Sequence, residues 1–249
     1  MGSQFVDFDG DGLLDVLTAT YEGAVYVARG LEASAETKER GGFADPEHVL
    51  DRDGQRIGLQ MMWSLEGKGW TDVFKPQCTT AVAFDWDADG DLDLLLGCYN
   101  TDNVFLRRNE GKAGAPVFGT ENEPVLAGGE PFALAGGVTA LRLVDWDADG
   151  VTDIVCGSFG AKDRSVLGGV YLFRNEGEAG SPRFAAAKAL IAPITDPDGT
   201  APSRGLYADP VDYDQDGDLD LLVGGYAETK SETTDGYKGQ AGIWLYLRK

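Results

Sequence analysis

The sequence predicts an all-β chain, a β-propeller of four-stranded antiparallel blades. Three observations predict it. A nine-residue acidic unit occurs four times, starting at residues 7, 85, 145 and 212. Each copy is flanked by short apolar runs of strand length. The 249 residues include 35 glycines, as many tight turns require. A unit repeating at this interval marks an array of small sheets. No long amphipathic helix is written in the chain; Ala33 to Lys38 reads at most as a short helical turn.

The acidic unit comes first because it sets the register. Its copies are Asp7-Phe8-Asp9-Gly10-Asp11-Gly12-Leu13-Leu14-Asp15, Asp85-Trp86-Asp87-Ala88-Asp89-Gly90-Asp91-Leu92-Asp93, Asp145-Trp146-Asp147-Ala148-Asp149-Gly150-Val151-Thr152-Asp153 and Asp212-Tyr213-Asp214-Gln215-Asp216-Gly217-Asp218-Leu219-Asp220. Each carries Asp at positions 1, 3, 5 and 9, an aromatic at 2 and Gly at 6. Four carboxylates this close repel one another unless a cation sits among them. Ca²⁺ is a hard ion that takes roughly six to eight oxygens. Positions 1, 3, 5 and 9 supply most of them, and the backbone carbonyl at 7 another. The expected ligands are therefore Asp7, Asp9, Asp11, Leu13 and Asp15; Asp85, Asp87, Asp89, Asp91 and Asp93; Asp145, Asp147, Asp149, Val151 and Asp153; and Asp212, Asp214, Asp216, Asp218 and Asp220, with about four structural Ca²⁺. The Gly at position 6 lets the chain turn with φ > 0. An EF-hand is excluded: it needs Glu at position 12 and flanking helices. Position 12 is Thr18, Leu96, Cys156 or Val223, and the flanks read as strands.

Each repeat then reads strand A, acidic loop, strand B, turn, strand C, turn, strand D. Strand B is Val16-Leu17, Leu94-Leu95-Leu96, Ile154-Val155 and Leu221-Leu222-Val223. These are continuous apolar runs, as expected of strands buried on both faces. Strand C is Val25-Tyr26-Val27, Val104-Phe105-Leu106, Val170 to Phe173 and Ile243 to Leu247. Near-identical turns follow at Arg108-Asn109-Glu110-Gly111 and Arg174-Asn175-Glu176-Gly177, leading to Phe118 and Phe184; Phe43 holds that place in the first repeat. Outer strands are expected near Val49-Leu50, Val125-Leu126 and Leu190-Ile191. Pro210 falls in the fourth strand A, which places that strand at a sheet edge.

The unit Asp-x-Asp-x-Asp-Gly-x-x-Asp between two strands resembles the FG-GAP/VCBS repeat. That repeat builds the β-propeller of integrin α-chains and of many bacterial secreted proteins. The resemblance covers nearly the whole chain. It implies one blade per repeat and Ca²⁺ in each loop, and no activity by itself. The expected organisation is one propeller domain or segment over 1–249. Its repeats span about 3–58, 79–135, 137–203 and 205–249, with an insert at 59–78. No fourth outer strand follows the last strand C. A segment of a larger propeller, completed by further blades of the parent chain or by another protomer, is expected; a closed four-bladed ring is the alternative.

Sequence variety is concentrated away from the acidic loops. The insert carries Met61, Met62, Trp63, Lys68, Trp70 and Phe74. The third B–C turn is lengthened by Gly160 to Ser165, and the fourth runs from Ala227 to Gln240. Variable loops on a rigid scaffold are where binding usually sits. Trp63, Lys68, Trp70, Lys162 and Arg164 are the candidate ligand residues, with protein or polysaccharide as ligand; packing of the two Trp onto the blade beneath is the competing reading.

Lys plus Arg number 21 against 42 Asp plus Glu, a net charge of −21. Such a chain repels nucleic acid and anionic membranes, and no apolar stretch is long enough to span a bilayer. Calcium loops point to an extracellular, cell-surface or periplasmic setting, where calcium is plentiful. Of three cysteines, Cys78 and Cys98 fall nearly opposite across strands, so a disulfide between them is one possibility and free thiols the other. The single His48 and the lack of nucleophile-elbow, His-Glu-x-x-His and P-loop motifs argue against an enzyme. The alternative is a propeller-type polysaccharide lyase or sugar dehydratase, with Tyr21, Tyr99 and Tyr226, and Phe159 at the same place in the third repeat, lining a pocket; a packing repeat is the competing and preferred reading of these aromatics.

Overall fold

The computed structural model describes residues 2–20, 23–32, 42–58, 61–64, 69–72, 78–98, 102–134, 136–231 and 236–249, and only the backbone of 61–64, 69–72 and 78–79. Lys68, Phe74, Tyr21, Tyr99 and the whole 33–38 stretch are not among the described residues. Among them there are nineteen strands and no helix. The chain is all-β, with the antiparallel blades of a β-propeller fold. It divides into two compact units, Met1–Val125 with Ala179–Ser181, and Leu126–Glu178 with Pro182–Lys249.

The first unit holds two sheets. One is β1 (Ser3–Val6), β2 (Asp15–Ala19), β3 (Val25–Ala28) and β4 (Glu47–His48), in that order. A hairpin of β5 (Met61–Ser64) and β6 (Gly69–Asp72) follows, with Trp63 opposite Trp70. The second sheet is β7 (Cys78–Phe84), β8 (Asp93–Cys98), β9 (Val104–Arg107) and β10 (Glu123–Pro124), again in sequence order. Cys78 and Cys98 face each other in register; the Cys78 side chain lies outside the described residues. Outer strands β4 and β10 pair just before the predicted Val49 and Val125, both of which are buried. His48 lies against Tyr26, ring centroids 4.2 Å apart.

The two sheets of this unit share one core. Phe8, Leu17, Val25, Val27 and Ile57 pack with Ala81, Ala83, Leu94, Leu96 and Phe118. The Gln4 side chain bridges the sheets: its Oε1 accepts the Ala83 N–H at 2.6 Å, and its Nε2 donates to the Ala83 carbonyl at 3.2 Å. Every residue of β8 is buried, as its unbroken apolar run requires.

The second unit begins with a small hairpin, β11 (Leu126–Ala127) and β12 (Glu130–Pro131). A four-stranded sheet follows: β13 (Val138–Val144), β14 (Asp153–Ser158), β15 (Val170–Phe173) and β16 (Lys188–Ile191). The last sheet has three strands, β17 (Arg204–Val211), β18 (Asp220–Lys230) and β19 (Tyr237–Tyr246). Pro210 sits on β17, an end strand, the place in a sheet where proline is tolerated. The stretch expected as a long turn from Ala227 to Gln240 is largely strand: β18 and β19 stay paired out to Lys230 and Tyr237. Val155, Val170 and Leu172 pack with Leu206, Ala208, Leu221 and Val223 between the sheets.

Neighbouring sheets approach so closely here that a side chain at 157 has no room. A Cβ on Gly157 would stand 1.9 Å from the Leu206 carbonyl oxygen and 2.7 Å from Thr139 Oγ1. Thr139 donates its hydroxyl hydrogen to that same Leu206 carbonyl. Gly157→Ala must push β14 from β17, and is expected to cost about 3 kcal/mol or more. Chemical denaturation against the parent chain measures it.

Candidate metal centres

Each acidic loop joins strands A and B of one sheet: β1 to β2, β7 to β8, β13 to β14 and β17 to β18. Two left-handed residues bend it. Position 6 is the predicted glycine, with φ of 89°, 92°, 91° and 95° at Gly12, Gly90, Gly150 and Gly217. Position 4 is left-handed as well, at Gly10, Ala88, Ala148 and Gln215, with φ from 58° to 73°. Nothing in an alanine signals that conformation, so the sequence reading missed it.

The bend turns the carboxylates inward. Asp7, Asp9 and Asp11 form one cluster, Asp85, Asp87 and Asp89 a second, Asp145, Asp147 and Asp149 a third, and Asp212, Asp214 and Asp220 a fourth. Within each, one oxygen from every residue lies within 4.8 Å of the others. Backbone N–H groups hold the carboxylates in place. Asp85 accepts from Asp89 and Gly90, both at 3.2 Å, and Asp145 from Asp149 and Gly150 at 3.0 and 2.9 Å. Position 5 accepts the N–H two residues on, at 2.8 to 3.1 Å in all four loops.

Position 9 has a second role. Asp15, Asp93, Asp153 and Asp220 are all buried. In each, Oδ2 accepts the N–H of the position-2 aromatic: Phe8 at 3.1 Å, Trp86 and Trp146 at 3.2 Å, Tyr213 at 3.0 Å. The other oxygen accepts the N–H just past strand C: Gly30 at 2.7 Å, Asn109 and Asn175 at 2.6 Å, Arg248 at 2.8 Å. One buried carboxylate therefore ties the loop to the end of strand C. The sequence reading gave these residues only as metal ligands.

Burial pushes the Asp93 carboxyl up to about 6, against the opposing pull of its two N–H partners. Burial raises Asp153 too, and burial followed by neighbouring carboxylates raises Asp91, Asp214 and Asp218. Asp149 moves down, chiefly through the Val151 N–H.

The donors fit a hard cation. Asp7 Oδ1 and Asp9 Oδ1 in the first loop and Asp218 Oδ1 in the fourth are buried with no hydrogen-bond partner. Such oxygens cost free energy unless something fills their lone pairs. All the side-chain donors are carboxylates, the chemistry of Ca²⁺ rather than of softer metals.

The next repeat backs each of the first two loops. A Cβ on Gly114 would stand 2.8 Å from the Asp9 carbonyl oxygen, and one on Gly180 2.7 Å from that of Asp87. Both glycines are left-handed, at φ 74° and 78°. They belong to the near-identical turns read in the sequence, and so does Phe118, stacked on Phe8 with ring centroids 6.0 Å apart. Gly30 bridges to Phe43, Asn109 to Phe118 and Asn175 to Phe184, which confirms the equivalence. Phe43 is half exposed, while the other two are buried.

The candidate ligand residues are scattered. Trp63 and Trp70 oppose each other on β5 and β6 in the first unit. Lys162 is exposed in the second. Arg164 lines a cleft of about 430 Å³ with Leu167, Pro193, Ile194, Pro197 and Tyr237. Its guanidinium lies 3.9 Å over the Tyr237 ring and grips buried Glu228 with both nitrogens, Nη2 to Oε1 at 3.1 Å. Arg164 also has φ +62°, an uncommon backbone for a residue with a side chain. Of the pocket tyrosines, Tyr226 is part-exposed on β18. The prolines and Tyr237 of the cleft carried no signal in the sequence.

A family model described as FG-GAP-like repeat matches residues 85–156 and again residues 145–223. Among the described residues no helix is long and apolar enough to cross a membrane.

The two roles of the aspartates separate by mutation. Asp153→Ala strands the Trp146 and Asn175 N–H groups in the interior and is expected to cost about 3 kcal/mol even without calcium. Asp149→Ala, at an exposed position, should change the calcium-free protein little and lose stabilisation only where calcium is present. Paired denaturation curves with calcium and with chelator measure both.

Proposed function

The chain belongs to the FG-GAP-like repeat family, and from that membership we propose that it is a calcium-braced β-propeller module for binding or scaffolding. The observation that carries this is the fourfold convergence of carboxylates, with buried oxygens of Asp7 and Asp9 in the first cluster that have no hydrogen-bond partner. The ions would be held by the side chains at positions 1, 3, 5 and 9, with the carbonyls of Leu13, Asp91, Val151 and Asp218 as further donors. Bound calcium supplies positive charge and coordination at the A–B end of each sheet. The chain's own residues orient the site: backbone N–H groups aim the carboxylates, and the position-9 aspartate fixes the loop to strand C.

Ligand binding belongs at the opposite end of strand B. The third and fourth B–C connections meet there around the Arg164 cleft. Its mixed lining of proline, tyrosine, aliphatic and charged groups suits a protein segment or a polysaccharide. Trp63 and Trp70, opposite each other in register on β5 and β6, are a second candidate pair for ligand contact. The chain's net charge of −21 argues against nucleic acid. Loops that fill at high calcium suit an extracellular, cell-surface or periplasmic setting.

Equilibrium dialysis tests the proposal. About four Ca²⁺ per chain are expected near neutral pH, and about three when Asp145, Asp147 and Asp149 are all changed to Asn. Acid should release the ions as protons compete for the carboxylates, Asp93 first among them, since burial raises it to about 6 when no ion is bound. Without calcium the sign reverses. Asp91, Asp93, Asp153, Asp214 and Asp218 bind protons more tightly folded than unfolded, against exposed Asp149, Asp163 and Asp198 shifted the other way. The chelated protein should therefore gain stability as pH drops from about 7 to about 4. Dialysis that finds no bound calcium at neutral pH would refute the proposal.

A further inference from the structure

Three of the four loops already carry a cation of their own. Arg29, at the end of the first strand C, reaches Asp9 at 3.1 Å and Asp15 at 3.3 Å. Arg108 reaches Asp87 at 3.0 Å. Arg174 reaches Asp147 at 2.7 Å and Asp149 at 3.1 Å. All three occupy one place in the repeat, the residue before the N–H that the position-9 aspartate accepts. In the fourth repeat that N–H is Arg248's, so the equivalent residue is Leu247, which is 48% exposed. Arg248 itself turns toward the third loop. It donates to the Trp146 carbonyl at 2.8 Å and lies 5.0 Å over the Trp146 ring. It acts on Asp218 only through space. Among the described residues no ion pair reaches Asp212, Asp214, Asp216, Asp218 or Asp220.

We infer that Arg29, Arg108 and Arg174 set the calcium affinity of their loops, so that the 212–220 loop fills first and the other three later. The inference rests on the calcium reading of the loops. An arginine in contact with the position-3 carboxylate opposes an arriving divalent ion in two ways. Its charge repels the ion, and its N–H groups hold lone pairs that the ion needs. The arginines also have somewhere to go. Arg29 contacts Glu47 at 3.4 Å and Arg108 contacts Glu123 at 3.3 Å, both on the outer strand of the same sheet. Arg174 has no such acidic partner among the described ion pairs, and at 51% side-chain exposure it is freest to swing into solvent.

Calorimetric titration of the calcium-stripped full chain with Ca²⁺ tests this. A unit charge a few ångströms from a divalent ion near the surface changes affinity by about fivefold to tenfold. The wild type should show one site tighter than the other three by about that factor. Leu247→Arg should weaken the tight site by a similar factor, while Leu247→Gln leaves it alone. Arg174→Gln should move one weak site into the tight class. Unchanged affinities in Leu247→Arg and Arg174→Gln, with calcium still bound, would overturn the arginine role and leave the calcium reading standing. Wild type that binds no calcium would overturn both. Leu247→Arg adds a charge at an exposed position, so the test survives if an arginine-removal variant folds poorly.

Discussion

Much of this structure depends on one buried carboxylate per repeat. Asp15, Asp93, Asp153 and Asp220 each take one N–H from the acidic loop and one from the residue past strand C. The first fixes where the loop sits over its sheet. The second fixes where the next turn leaves. A buried carboxylate with two N–H donors resists protonation through those bonds and favours it through its burial; at Asp93 burial wins. The cation that would tip this balance toward the charged form is the one the neighbouring carboxylates are arranged to hold.

Brace and packing are linked. Within each unit the sheets meet through strands with little room to spare, which is why β8 and β14 are buried throughout and why Gly157 cannot carry a side chain. The loops stand at one end of these strands. The turns carrying Gly114 and Gly180 lie on the carbonyls of Asp9 and Asp87, so a loop is pinned by its own strand C and by a turn from the following repeat. An ion in one loop would thus steady two repeats. At the other end of the strands no such repeated device is seen among the described residues. There the third B–C turn is long and the fourth hairpin runs on to Lys230 and Tyr237, and there the Arg164 cleft lies.

The acidic loops, strands B and C and the Phe118 and Phe184 turns were legible in the sequence, because spacing and apolar runs are local and repeat. Phe43 was placed correctly, but its exposure was not legible: Phe118 bridges to Asp51 and Phe184 to Ala127, and Phe43 makes no second bridge of this kind among the described residues. The double role of position 9 was hidden, because a ligand aspartate and a bracing aspartate are the same letter. The left-handed Ala88 and Ala148 gave no sign either, since alanine has no preference for that conformation. The extension of β18 and β19 was read as a turn because Glu228, Thr229 and Lys230 look like loop residues; their pairing with Gly239, Lys238 and Tyr237 is a tertiary fact. Arg29, Arg108 and Arg174 stood in plain view at one place in the repeat, but only the folded chain shows what they touch.

Calcium held in the four loops would stabilise the fold. Thermal unfolding with excess Ca²⁺, with Mg²⁺ and with a chelator tests it most directly. At a tenfold excess over Kd each occupied loop adds about 1.4 kcal/mol, so four loops should raise Tm by many degrees, with Mg²⁺ far less effective. Identical melts under all three conditions would contradict this and leave the carboxylates as acidic turns held by their N–H partners and, in three loops, by an arginine.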